Sequence, residues 1–158
     1  MGGVERDMLT PPTVAVIGGG QLARMMQESA IALGINLRVL VEAEDGSTGL
    51  VTVDKAVGAP KDLDAVCALI DGADVLTFEH EHIPAQTMEE AARVVSVQPP
   101  ASALLYAQDK LQMRARLSEM GIPCPAWARV DNAAELERFG AVIGWPLIVK
   151  TPRGGYDG

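Results

Sequence analysis

A β-branched run, Thr13–Ile17, ends on three consecutive glycines, Gly18-Gly19-Gly20, and a helix-period stretch, Gln21–Leu33, begins at once. A short strand that is apolar without alternation is expected to be covered on both faces. Glycines directly after it let the backbone turn sharply into a helix. This junction constrains the front of the chain more than any other feature. It predicts an α/β fold whose parallel sheet offers its carboxyl edge to a ligand crevice.

The rest of the front half repeats the rhythm. Strands are expected at 36–42, around 55–57, at Val75–Phe78 and at 94–97, and helices at 61–70 and 84–93. Leu22, Met25, Met26, Ser29, Ala30 and Leu33 share one stripe of the first helix, which predicts a buried face. In the next helix Cys67 falls with Leu63, Val66 and Ile70, which predicts a packing role. Strands alternating with helices at this spacing indicate an open parallel sheet. Pro99-Pro100 breaks the rhythm and marks the expected boundary, giving a leader over 1–12, a sheet domain over 13–99 and a second domain beginning at 100. Beyond the prolines, helices are expected at 102–107, 110–120 and 133–139, and strands at 126–130 and 147–150. The chain then closes on Thr-Pro-Arg-Gly-Gly-Tyr-Asp-Gly, a glycine-rich loop directly after a strand, as in a domain that continues.

Composition narrows the function classes. The 158 residues are 48% apolar, yet no run approaches the ~20 apolar residues of a membrane span. Residues 1–12 are polar and do not read as a signal peptide; Gly2 is not followed by the Ser or Thr of a myristoylation signal, since Arg6 stands there. Twenty-one acidic residues against 13 basic ones give a net charge of −8, with no clustered Lys and Arg, which argues against nucleic acid as partner. Cys67 and Cys124 lack metal-ligand spacing and suit a reducing cytoplasm. These properties predict a soluble cytosolic protein.

Three segments carry candidate chemistry. Gly18, Gly20 and Ala23 fit the pattern G-x-G-x-x-G/A, and Glu42 lies where a dinucleotide-binding domain holds a ribose. Read from these residues, the turn binds NAD, holds another ligand at the helix start, or serves geometry alone. Phe78-Glu79-His80-Glu81-His82 follows a strand and contains both histidines. Extended, it would project Glu79 and Glu81 one way and His80 and His82 the other. A His-x-His pair can ligate zinc, but no third ligand appears at a recognisable spacing; a solvated charge cluster remains the plain alternative. In the third segment, Asp109 is a candidate N-cap that would expose Lys110 in the first turn. Lys150 ends an apolar run directly before Gly154, Gly155 and Gly158. An ammonium and backbone N–H groups so placed suit phosphate oxygens, whereas a surface lysine and a loose terminus are the plain alternatives.

The wording of these segments closely resembles one family. GGGQLARM is similar to the GGGQLGRM opening of the 5-(carboxyamino)imidazole ribonucleotide synthases, which are ATP-grasp ligases, and TFEHEHIP is similar to their TFEFENVP. A helix-start lysine, then GIPCP, WPLIVK and GGYDG follow in the order of the ATP-grasp fold. The resemblance runs from about Val14 to Gly158. It implies an open parallel-sheet, Rossmann-like pre-ATP-grasp domain followed by the start of an ATP-grasp domain. By the same resemblance Gly20, Gln21, Leu22 and Glu79 would bind the acceptor substrate, and Lys110, Lys150, Gly155, Tyr156, Asp157 and Gly158 would hold ATP. Tyr156 and Asp157 would face the reacting amine, with Asp157 helping to orient or deprotonate it. His80 and His82 depart from the family's Phe and Asn and inherit no role.

The implied reaction is ATP-dependent carboxylation of 5-aminoimidazole ribonucleotide by bicarbonate in purine synthesis, with Mg2+ whose ligands would lie downstream, in a cytoplasmic homodimer. These residues alone are not expected to turn over. Two rivals remain. A formate-dependent glycinamide ribonucleotide transformylase is expected to carry glutamate where Gln21 stands. A NAD-binding oxidoreductase would explain the glycine turn and Glu42 but not Lys150 and GGYDG.

Overall fold

The structure is a computed structural model and describes residues 10–154. Most of the expected leader, residues 1–9, lies outside the described residues, as do Gly155, Tyr156, Asp157 and Gly158. The chain divides into two compact units, one reaching Ala101 and one starting at Ser102.

The first unit holds a five-stranded sheet built from β1 (Thr13–Ile17), β2 (Asn36–Val41), β3 (Asp54–Val57), β4 (Val75–Phe78) and β5 (Ser96–Val97). Three helices alternate with them: α1 (Gln21–Leu33), α2 (Leu63–Ile70) and α3 (Ala85–Ala91). Every pairing is parallel and the order is β3-β2-β1-β4-β5. The chain therefore lays β2 and β3 on one side of β1 and returns to the other side for β4. This reversal opens a crevice at the carboxyl ends of β1 and β4. Ile17 is in register with Phe78, so the residues that follow each strand, Gly18 and Glu79, emerge side by side.

The core follows from the strand pattern. Val16, Leu37, Val39 and Val41 pack against Ala23 and Ala30 of α1. Leu40 and Leu76 are buried as well, as expected for strands with both faces covered. Helix α1 corrects the expected stripe. Its buried residues are the small Ala23 and Ala30, while Leu22, Met25 and Leu33 are 58%, 56% and 72% exposed. Alanines let the helix approach the sheet, and the larger side chains are turned outward onto a shallow groove with Val14, Ile35 and Leu37. In α2 the buried face is Val66, Leu69 and Ile70, and Cys67 is exposed rather than packed, lying about 100° round the helix from Val66. Strand β5 is shorter than expected because the Val94 and Val95 N–H groups still donate to the Ala91 carbonyl, extending the turn of α3.

The second unit contains α4 (Ala101–Gln108, whose first residue closes the front unit), α5 (Lys110–Glu119) and α6 (Ala133–Ile143). Helix α6 continues past the expected end at Phe139. Gly140 lies within it and is buried, with the Trp145 indole against its Cα. The strands expected at 126–130 and 147–150 are not formed among the described residues. An extended apolar run becomes a strand only when another backbone takes its hydrogen bonds, and neither segment has one here. Ile148 and Val149 are correspondingly 84% and 63% exposed.

Candidate functional site

The glycine turn is shaped by three neighbours. Gly18 leaves β1 at φ 127°, a value L-residues rarely adopt, and its N–H donates to the Leu40 carbonyl at 3.2 Å. Gly19 lies against Val41, where a Cβ would stand 2.7 Å from the Val41 Cγ1 and 3.0 Å from its Cα. Gly20 is the N-cap of α1 and brings no capping side chain of its own. The cap comes from β4 instead. Glu79 accepts the Gly20 N–H on Oε1 at 2.6 Å and the Ala23 N–H on Oε2 at 2.5 Å. Two amides left without partners by the helix start are thus met by one carboxylate.

A cavity of about 380 Å³ opens beside this contact. Gly18–Gly20 and Glu79 line it together with Val41, Glu42, Gly46, Pro60 and His80. Gly20 and Glu79, both expected in one binding site, are therefore adjacent. Gln21 and Leu22 belong to the same turn but aim elsewhere. Gln21 Oε1 accepts the Ser47 hydroxyl at 3.1 Å, and Leu22 faces the groove with Met25 and Leu33. The expected alternation of the FEHEH segment is not kept. Strand β4 stops at Phe78 and the chain bends, so Glu79 and His80 both line the cavity. The His80 and His82 rings lie 5.8 Å apart, and His80 Nδ1 accepts the His82 N–H at 3.2 Å. Among the described residues no three His, Cys, Asp or Glu side chains are grouped to hold a metal.

The loop after β2 buttresses the turn, and it was not legible in the sequence. Thr48 is fully buried; its hydroxyl donates to the Gly20 carbonyl at 2.6 Å and its N–H to the Gly19 carbonyl at 3.2 Å. The Arg24 guanidinium donates to the Ser47 carbonyl at 2.8 Å. A threonine among Asp45, Gly46, Ser47 and Gly49 reads as ordinary loop, and only the fold reveals it as a pin. Thr48→Val keeps the shape and removes the hydroxyl. The Gly20 carbonyl still accepts the Arg24 N–H, so the expected loss is about 0.5–1.5 kcal/mol, that of one net hydrogen bond and not of an orphaned group. Urea unfolding measures it, and a change near zero would show that the hydroxyl does not hold the turn.

In the second unit Asp109 caps α5, accepting the Leu111 and Gln112 N–H groups at 3.0 and 3.1 Å. It also pairs with Arg153 at 3.2 Å. Lys110 ties the same helix start to the segment leading into the terminal glycines. Its N–H donates to the Pro152 carbonyl at 2.9 Å and its Nζ to the Gly154 carbonyl at 2.7 Å. Lys110 is thus half-buried rather than exposed. Lys150 is exposed and makes no ion pair among the described residues.

The Gln112 N–H holds the Asp109 carboxyl below the ordinary aspartate range. Removal from water works against this, while Arg153 and the Leu111 N–H add to it. A depressed folded-state value stabilises the fold above the unfolded-state value and is lost as pH falls through the folded one. Protection of the Leu111 and Gln112 amides from hydrogen exchange should therefore hold at neutral pH and fall in acid, below the usual carboxylate range. Asp109→Asn should make that protection independent of pH. Equal acid sensitivity in the variant would assign the effect to another group.

The model of the ribonucleotide synthetase preATP-grasp domain family matches residues 12–108. The N5-carboxyaminoimidazole ribonucleotide synthase of Mycobacterium tuberculosis is 48% identical over 148 residues, which cover 93% of this chain and 34% of the relative. The N5-carboxyaminoimidazole synthetase of Staphylococcus aureus, solved in complex with ADP, superposes with a TM-score of 0.84 at 31% identity, over 92% of this chain and 39% of that one. The Aspergillus clavatus N5-carboxyaminoimidazole synthase, solved with ADP and 5-aminoimidazole ribonucleotide, gives 0.78 at 34% identity, over 88% and 38%. The chain spans about a third of the length of the curated relatives it matches.

Proposed function

Because the chain belongs to the ribonucleotide synthetase preATP-grasp domain family, we propose that it serves the ATP-dependent carboxylation of 5-aminoimidazole ribonucleotide by bicarbonate, within an enzyme of its relatives' length. The observation that carries this reading is the Glu79 carboxylate lying on the Gly18–Gly20 turn at the sheet's switch in strand order. Each carboxylate oxygen there has accepted one N–H and retains capacity for a further donor. A ribose hydroxyl or the aminoimidazole amine is such a donor. Gly20, Gln21, Leu22 and Glu79 are the residues proposed for this substrate.

In the second unit Lys110 fixes the start of the terminal glycine loop, and Lys150 offers an exposed ammonium close before it in the chain. Lys110, Lys150 and Gly155 to Gly158 are proposed to hold ATP, and Tyr156 and Asp157 to face the amine. Bicarbonate then attacks the γ-phosphoryl group to give carboxyphosphate and ADP. Carboxyphosphate releases carbon dioxide and phosphate, and the amine nitrogen attacks the carbon dioxide to form a carbamate, giving up a proton for which Asp157 is the proposed acceptor. The chain contributes positioning and charge neutralisation, which dominate phosphoryl transfer. Mg2+ would neutralise the triphosphate, and among the described residues no three His, Cys, Asp or Glu side chains are grouped to hold it. The reading includes a cytoplasmic homodimer. No helix among the described residues is long and apolar enough to cross a membrane.

Calorimetric titration of the chain with 5-aminoimidazole ribonucleotide and, separately, with NAD tests the proposal. Saturable binding of the ribonucleotide and none of NAD is expected. NAD binding without ribonucleotide binding would return the turn to the dinucleotide class. In a protein of the relatives' length, ADP formation should require both the ribonucleotide and bicarbonate, whereas these 158 residues alone should form none. Formylation of glycinamide ribonucleotide by that protein would favour the formate-using rival.

A further inference from the structure

The start of α1 has the setting in which dinucleotide-binding domains hold a pyrophosphate: a glycine turn, exposed helix amides and a switch in strand order. Here the position is filled from within. Glu79 reaches across from the end of β4, and its two oxygens accept the first and fourth N–H groups of the turn, those of Gly20 and Ala23. A methyl group at Gly18 would collide with the Glu79 side chain, and one at Gly20 would stand 2.9 Å from Oε1. The glycines therefore admit a protein carboxylate that lies flat on the helix start.

We infer that Glu79 is a specificity residue, a built-in anion that bars phosphate and pyrophosphate groups from the Gly20–Ala23 amides. It does so in two ways. It occupies two of the four amides an anionic ligand could use, those of Gly20 and Ala23, and its charge repels a second anion at contact distance from the others. What it leaves to a ligand in the adjoining cavity is hydrogen-bond acceptance, which suits hydroxyl and amine donors. The proposed function already gives this turn the sugar hydroxyls or the amine; what Glu79 adds is exclusion of the ribonucleotide's phosphate from the same amides. The inference rests on that reading only for the identity of the ligand. The exclusion itself concerns the chain's own atoms.

Amide-detected NMR titration of the isotopically labelled chain with inorganic pyrophosphate tests it without ATP or any aminoimidazole, so its failure is separable from failure of the proposed reaction. In the unmodified chain the Gly20–Ala23 amides should not shift saturably. In Glu79→Ala the same amides should shift and saturate, with half-saturation at least roughly tenfold below the highest pyrophosphate concentration that leaves the parent unsaturated, the scale of one charge at a helix start. Glu79→Gln keeps the length and one acceptor, and serves if the alanine variant melts too low. It should shift the same amides in the same direction with weaker affinity. Saturable shifts at Gly20–Ala23 in the parent, or none in a folded variant, would overturn the inference.

Discussion

Replacing Gly18 by alanine should destabilise the sheet unit by about 2–4 kcal/mol, while the same change at Gly34 should cost roughly 1 kcal/mol. Both glycines have positive φ, 127° and 65°, so each substitution brings backbone strain. They differ in what a methyl group would meet. At Gly34, the left-handed residue that closes α1, there is open space, and its N–H already donates to the Ala30 and Ile31 carbonyls. At Gly18 the methyl falls on Glu79, so it must also push the carboxylate off the Gly20 and Ala23 amides. The second cost is a charge-assisted cap as well as a clash. Urea unfolding of the two variants beside the parent measures the difference. A gap of less than about half a kcal/mol, within ordinary scatter between sites, would mean that Glu79 moves aside freely and does not define the turn.

The other large effect concerns turnover. In a protein of the relatives' length, Lys150→Met should lower kcat/KM for ATP about 10²–10³-fold, the usual loss when one charge-stabilising donor is removed. Its stability should change by no more than about 0.5 kcal/mol, because the side chain is exposed and makes no ion pair among the described residues. That separation makes the variant informative: lost activity cannot be blamed on lost folding. Lys110→Met is a poorer probe, since Nζ also anchors the Gly154 carbonyl and its loss loosens the loop. ADP release monitored with ribonucleotide and bicarbonate present gives the reading. Activity within a few-fold of the parent, under about 1 kcal/mol of transition-state effect, would remove Lys150 from the phosphate site.

The rhythm of the front unit was written in local pattern. Thr13–Ile17, Gln21–Leu33 and Val75–Phe78 begin and end as expected because glycines, turn residues and β-branched runs act within a few residues of themselves. Asp109 was readable as a cap for the same reason, since its partners are two and three residues away. The motifs were equally local, and the family model matches residues 12–108, the stretch that contains the glycine turn and Glu79.

Only the tertiary structure decided which of these residues meet. Glu79 and Gly20 are 59 positions apart, and they touch because β4 returns to the far side of β1 with Phe78 beside Ile17. Thr48 reaches the turn from the loop after β2, a contact without local signature. Periodicity identifies an apolar face on α1 but not the closeness of its approach, and Ala23 and Ala30 take the buried positions while Leu22, Met25 and Leu33 stay exposed. Among the described residues the runs at 126–130 and 147–150 form no ladder, because a strand is a property of two backbones. In the front unit, local pattern by itself located most of the strands, turns and helices, because turn residues, β-branched runs and apolar periodicity act over a few neighbours. Burial, capping across the sheet and the filling of the helix start depend on groups far apart in the chain, so three-dimensional packing alone determined them.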